Sequence, residues 1–259
     1  MKKVVAIMGP PERWTPLCRE HRHLADFICV SPVRAVPMDD VDFSLFLVDL
    51  FSGRYDVLVA TCPTAIEAAV VMARDRNMLE RLQDATRRTE LVTIGERTTG
   101  RAEQHGLTVS SEAPEATTDS LVGHLNRKER RGTVAILRSD QGSPQLIKGL
   151  EDAGWKVVEV KVYSLLLDES EMMISLLDRL EEGKVDVLVF PTPAHVQAFL
   201  LQLIERCDVE ELPLMLEGVT VAAMGPETRK RLEEHGVKVD MVPTKTTPEQ
   251  LLKELLHDL

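Results

Sequence analysis

One spacing constrains this chain more than any other. Tyr55-Asp-Val-Leu-Val59 reappears as Val185-Asp-Val-Leu-Val189, 130 residues on, and the same offset carries Pro63 and Ala68 onto Pro193 and Ala198. It carries Gly95 and Thr98 onto Gly225 and Thr228, and His105-Gly106 onto His235-Gly236. Thr117, Leu121 and Leu125 fall on Thr247, Leu251 and Leu255. An offset held through strand-like and helix-like segments alike marks a duplicated unit. Two copies are too few to stack as a solenoid, so the expectation is two similar domains facing each other.

The pattern inside each copy sets the fold class. Lys3–Met8, Asp26–Val30, Tyr55–Ala60, Leu91–Ile94, Thr133–Leu137, Lys156–Val162, Val185–Phe190, Val219–Ala223 and Val237–Val242 read as strands. Most are continuously apolar, as parallel strands covered on both faces are. Amphipathic helical patterns alternate with them, among them Ala65–Ala73, Ser143–Ala153, Glu169–Glu182, Val196–Arg206, Glu227–His235 and Pro248–Leu256. Gly106, Gly154, Gly183 and Gly236 follow helical segments where a left-handed residue ends a helix. The expected class is α/β: two similar domains, each a parallel sheet flanked by helices.

Turn-rich Ser31–Pro37 and polar Ser164–Glu171 are the best linker candidates, and neither sits at the repeat boundary near residue 130. If both are linkers, the chain crosses between domains twice. One domain is then discontinuous, residues 1–35 with 168–259, around a second of 39–162, with linkers at 36–38 and 163–167.

Composition removes several function classes. The 259 residues carry 31 Lys+Arg against 42 Asp+Glu, a net charge of −11. Such a chain lacks the basic stripe that a nucleic-acid or acidic-membrane binder needs. No stretch approaches a membrane span, and the N-terminal apolar run is too short for a secretory signal, so the expected compartment is the cytoplasm. The four cysteines, Cys18, Cys29, Cys62 and Cys207, form no C-x-x-C pair and show no activating partner, and no metal site is expected.

In parallel α/β sheets, ligands bind at the carboxyl ends of strands, over helix N-termini. Six turns of this kind carry small, hydroxyl or Pro residues: Met8–Pro11, Thr61–Thr64, Gly95–Thr98, Arg138–Gly142, Pro191–Ala194 and Gly225–Thr228. Free N–H groups beside a hydroxyl cradle an anion, although ordinary helix caps look the same. Phosphate-loop, dinucleotide, nucleophile-elbow and zincin motifs are all missing. His21 and His23 fit a solvated helix face, and His105 and His235 fit helix C-termini. Tyr163, ending a strand beside the second linker, is placed to donate a proton in an interdomain cleft or to pin the hinge. Arg138 is placed to fork onto a carboxylate or to make a surface ion pair.

These stretches resemble the uroporphyrinogen-III synthase family. Val185–Leu200, with its Asp186, apolar strand and Pro191-Thr-Pro-Ala194 turn, resembles one family segment. Val221–Gly236, with Gly225-Pro-Glu-Thr228, resembles a second, and Val242–Leu252 a third. Thr133–Tyr163, with Arg138, Gly142 and Gly154, fits the segment that joins the halves, and weaker copies extend the likeness over nearly the whole chain. The resemblance implies two α/β domains joined by a two-stranded linker. It implies cyclisation of hydroxymethylbilane, a linear tetrapyrrole, to uroporphyrinogen III with loss of water and inversion of the last ring. No metal or organic cofactor is implied, and the chain is expected to act as a monomer, a transient contact with the preceding pathway enzyme being left open.

By position, Tyr163 matches the family's hinge-side tyrosine and is the catalytic candidate. Thr61, Thr98, Thr192, Gly225 and Thr228 fall in the turns that hold substrate carboxylates, and Arg138 joins them as a binding candidate. Cys62-Pro63-Thr64 and Pro191-Thr-Pro-Ala194 depart from the family's Ser/Asn-rich turns, and Glu96 places a negative charge beside Gly95. A non-catalytic tetrapyrrole or anionic-metabolite sensor on the same scaffold is the rival expectation.

Overall fold

The structure, a computed structural model, describes residues 2–115, 117–206 and 215–257. The chain divides into two compact units, Met1–Arg34 with Leu167–Leu259, and Ala35–Leu166. The crossings fall inside strands β3 (Val33–Pro37) and β8 (Lys156–Leu167), which are hydrogen-bonded neighbours.

The contiguous unit carries a sheet ordered β3-β8-β7-β4-β5-β6, with β4 at Val57–Ala60, β5 at Glu90–Ile94, β6 at Ser111–Ala113 and β7 at Thr133–Ser139. The other unit carries β10-β9-β1-β2, with β1 at Lys3–Met8, β2 at Ala25–Val30, β9 at Val187–Phe190 and β10 at Thr220–Ala223. The pairings among β1, β2, β9 and β10, and among β4 to β8, are parallel.

Why these runs become central strands follows from alternation. Val57 and Val59 face one apolar cluster while Leu58 and Ala60 face another, and on β9 Val187 and Val189 are opposed in the same way to Leu188 and Phe190. A strand that is apolar on both faces has to be covered twice. Helices α2 (Val41–Phe51), α3 (Pro63–Asp75), α4 (Leu79–Thr86) and α5 (Glu96–Gln104) cover one face of the six-stranded sheet. Helices α6 (Thr118–Asn126) and α7 (Gln145–Asp152) cover the other. In the discontinuous unit, α8 (Glu171–Glu181), α9 (Pro193–Ile204) and α10 (Pro226–Glu234) lie on one face. Helices α1 (Pro11–His21) and α11 (Pro248–His257) lie on the other.

The 130-residue offset now has a structural meaning. It superposes β4 on β9, α3 on α9, the start of β5 on that of β10, α5 on α10 and α6 on α11. In the sheets, Val57, Leu58 and Val59 pair with Val134, Ala135 and Ile136, and Val187, Leu188 and Val189 pair with Val5, Ala6 and Ile7. Each unit therefore joins the opening strand–helix–strand segment of one copy to the remainder of the other. The repeated aspartate also has a local reason. Asp186 Oδ2 accepts the Val4 N–H at 2.8 Å, and Asp56 Oδ2 accepts the Thr133 N–H at 2.7 Å. Each carboxylate thus fastens the amino end of the neighbouring strand. The Val4 N–H and the Lys3 ammonium, 2.8 Å from Oδ1, hold the Asp186 carboxyl below its usual range, the ammonium being the larger cause.

Several expectations need correction. Val237–Val242 is not a strand; only Met241 bridges to Ala222, as Ser111 does to Val92 in the other unit. Ser31–Pro37 and Ser164–Leu167 are largely β-structure: β3 is an edge strand, which tolerates a Pro, and Ser164–Leu167 continues β8 past the end of β7. Tyr163 accordingly lies inside β8, four residues before its end. The four glycines expected at helix ends do take positive φ, between 66° and 88°. Cys207 lies outside the described residues.

Candidate functional site

In the contiguous unit, Thr61, Thr98 and Arg138 stand at or just past the carboxyl ends of β4, β5 and β7, and Tyr163 lies on the neighbouring β8. A register shift between Arg138 and Ser139 makes Arg138 pair with Lys161 and Ser139 with Tyr163, so one extra residue is inserted in β8. Such a bulge re-aims the side chain that follows it. The Tyr163 ring is 9% exposed and belongs to the apolar core, while its Oη lies 3.4 Å from Cys62 Sγ at the N-cap of α3. Burial, with the Cys62 thiol and the Asp140 carboxylate nearby, pushes the phenol above its ordinary range, against a hydrogen bond from Ser139 that favours ionisation. Tyr163 is therefore a neutral phenol at physiological pH, with a proton available to donate.

Asp140 completes this corner. Its Oδ2 accepts the Ser164 hydroxyl at 2.8 Å, its N–H donates to the Tyr163 carbonyl, and its Oδ1 is buried without a partner. Sequence reasoning did not single out Asp140 or Ser139, although both stand at the strand-end turn. Their position one and two residues past Arg138 was the available signal.

Arg138 is 4% exposed rather than a surface group. Its Nη2 donates to the Ser143 carbonyl at 2.7 Å and its Nε lies 3.5 Å from Glu159 Oε1. The loop closes so tightly over the guanidinium that a Cβ on Gly142 would lie 1.8 Å from Nη2. Arg138 thus ties strand to loop, and only Nη1 is left without a partner.

The threonines use their hydroxyls inward. Thr61 Oγ1 donates to the Leu137 carbonyl at 3.1 Å, and Thr98, 1% exposed, donates to the Ile94 carbonyl at 2.7 Å. In the discontinuous unit, Thr192 Oγ1 caps α9 by accepting the His195 N–H and lies 2.8 Å from His195 Nδ1. Burial lowers the His195 ring to about 4, so it is neutral at pH 7. Thr228 is buried in the first turn of α10, and Gly225 is the residue before it begins. The two G-x-x-T turns are not conformational copies: Gly95 is left-handed at φ 80°, whereas Gly225 is extended at φ −166°.

What remains open to an anion is backbone. Helices α3, α5 and α10 have no side-chain cap, so their first-turn N–H groups keep their positive ends for a carboxylate. A cavity of about 580 Å³ lies elsewhere, at the amino end of β10, lined by Leu216, Gly218, Thr220, Lys238 and Asp240. Among the described residues, no cluster of three or more His, Cys, Asp or Glu is arranged for a metal ion, and no helix is long and apolar enough to cross a membrane.

A duplicated pair of parallel α/β units, each with uncapped helix starts at its strand ends, defines a class of two-unit α/β proteins. The family model for uroporphyrinogen-III synthase HemD matches residues 15–253. A protein of Methanothermobacter thermautotrophicus, named as a candidate uroporphyrinogen-III synthase, is 32% identical over 249 residues, 95% of this chain and 92% of its own length. The uroporphyrinogen-III synthase of Chlorobaculum parvum is 28% identical over 60% of this chain and 61% of its own length. Two crystal structures share the fold. That of the Helicobacter pylori enzyme has a TM-score of 0.68 at 17% identity, covering 100% of both chains. That of a mutant Thermus thermophilus enzyme has 0.64 at 19%, covering 98% of both. The chain belongs to the uroporphyrinogen-III synthase family, enzymes of porphyrin biosynthesis.

Proposed function

We propose that the chain cyclises hydroxymethylbilane to uroporphyrinogen III with inversion of ring D, and that Tyr163 supplies the proton. One observation carries the assignment of that role: a phenol held neutral by burial, at the carboxyl end of the sheet, beside helix starts that can take carboxylates. The hydroxymethyl C–O bond breaks and the Tyr163 proton goes to the leaving hydroxyl, which departs as water. The proton lost when the last pyrrole regains aromaticity restores the phenol. Because the substrate ionises readily, positioning and water exclusion supply most of the rate. The substrate carboxylates are assigned to first-turn N–H groups of α3 and α5, since Thr61 and Thr98 spend their protons on carbonyls.

The test supplies hydroxymethylbilane and separates the uroporphyrin isomers, which distinguishes catalysis from spontaneous closure to isomer I. A product mixture unchanged by the protein refutes the activity. Tyr163→Phe should lower kcat by about a hundredfold, the scale of a lost general acid, with little change in product binding. The inward hydroxyls of Thr61 and Thr98 favour one second reading, a tetrapyrrole-binding sensor. Tight binding without isomer III formation would establish it.

A further inference from the structure

Two thiols outside that site meet. Cys18 on α1 and Cys29 on β2 place their Sγ atoms 3.6 Å apart, one S–H donating to the other sulfur, although the sequence shows neither a partner. Cys18 is 4% exposed and packs in the same cluster as Trp14 and Val5; Cys29 is only partly covered, so a small reagent reaches it first. Thr15, three residues before Cys18 and so on the same face of α1, also hydrogen-bonds Cys29. A disulfide requires the sulfurs to close from this separation to about 2.05 Å, a movement of about 1.5 Å between packed elements.

We propose that Cys18 and Cys29 form a hydroperoxide-reactive dithiol, Cys29 being the attacking sulfur and Cys18 the resolving one. The Cys29 thiolate attacks an oxygen of the hydroperoxide, the O–O bond breaks, and the displaced oxygen takes a proton to leave as water or alcohol. Cys29 is then a sulfenic acid. Cys18 loses its proton and attacks that sulfur, and the hydroxyl leaves as water. Two thiols and one hydrogen peroxide thus give one disulfide and two waters, and a thiol reductant reverses the change. The assignment of roles agrees with the electrostatics. Its bond to Cys29, then burial, raises Cys18, whereas the Cys18 and Thr15 donors lower Cys29 against its own burial. The first proton lost therefore leaves the charge on Cys29, the less buried residue of the two.

The test treats the full-length protein with hydrogen peroxide, blocks remaining thiols by alkylation and digests with trypsin without reduction. Cleavage after Arg13, Arg19, Arg22 and Arg34 puts the two sulfurs on separate peptides, Trp14–Arg19 and His23–Arg34. The expected product is one cross-linked species, 2 Da lighter than the two thiol peptides together, that thiol reductant splits. Cys18→Ser should leave Cys29 as a sulfenic acid trapped by dimedone, and Cys29→Ser should slow oxidation at Cys18 at least tenfold. Oxidation of Cys29 in the wild type without a cross-link, oxidation confined to Cys62 or Cys207, or equal oxidation of Cys18 in Cys29→Ser would each overturn the proposal.

Discussion

His195 gives the sharpest quantitative test, because its environment converts directly into a pH-dependent stability. Its ring is half-buried at the third position of α9, where Nδ1 lies 2.8 Å from Thr192 Oγ1. Burial lowers the ring from 6.5 to about 4 in the folded protein. The start of a helix also disfavours a cation. Between these two values the unfolded chain binds the proton and the folded chain does not, so stability falls as pH falls through that window. It is fully present above 6.5, falls most steeply from about 6.5 to 4, and changes no further once both states are protonated. At 1.36 kcal/mol per unit, the loss between pH 7 and pH 5 comes to about 2 kcal/mol, approaching about 3 kcal/mol at pH 4. The perturbation is His195→Gln, which keeps a polar group beside Thr192 and removes the titration. Urea unfolding of both proteins at pH 7, 6 and 5 isolates the term, since the other six histidines cancel in the difference. The wild type should lose about 2 kcal/mol more than the variant over that range. Parallel losses, or an NMR titration of His195 with a midpoint at 6 or above, would refute the reasoning.

Three further outcomes follow from contacts described above. Gly142→Ala puts a methyl where the Arg138 guanidinium lies and should cost about 2 kcal/mol by overpacking; an unchanged urea midpoint would mean the loop shifts freely. Asp186→Ala and Asp56→Ala each leave a strand-end N–H without its carboxylate. Each should destabilise by about 1–2 kcal/mol in denaturant titrations, and a large inequality would break the equivalence of the two clamps. Cys62→Ala removes the partner of the Tyr163 phenol and should lower isomer III formation about fivefold, the scale of one hydrogen bond near 1 kcal/mol. Cys62→Ser should restore most of it, and equal rates in the two variants would remove the contact from the mechanism.

The strands in the middle of each sheet were legible because burial on both faces writes a continuous apolar run. Lys3–Met8 is placed to the residue, and β4 and β9 to within two. Val237–Val242 alternates apolar residues with Lys238 and Asp240, as a half-covered strand would, yet pairs only through Met241, since such a pattern reports burial and not the presence of a neighbour. The edge strands hid for the opposite reason. Val33–Pro37 and Ser111–Ala113 are short and half-polar, and an edge position asks for no more. At the site, the strand-end rule found the turns but not the direction of each O–H, which depends on local dihedrals. Gly95 and Gly225 occupy matching places in the repeat with different backbone conformations. The Cys18–Cys29 contact depends on how α1 settles on β2, which no spacing in one sequence encodes.

The exchange of first segments between the two copies has a consequence for how the protein is born. The contiguous unit has all of its strands once Leu166 has left the ribosome, and it can close on its own chain. The other cannot: β1 sits at the centre of its sheet between β2 and β9, and Val5 finds Val187 only after a whole unit has been made. At roughly 5–20 residues per second, the β1–β2 pair waits about ten to thirty seconds for the strand that completes it. The inner unit therefore folds first, as a loop closed early, and brings the ends of the second within reach. Severing the chain between β2 and β3 would leave β1 to find β9 on a separate molecule, turning a loop closure into a bimolecular step.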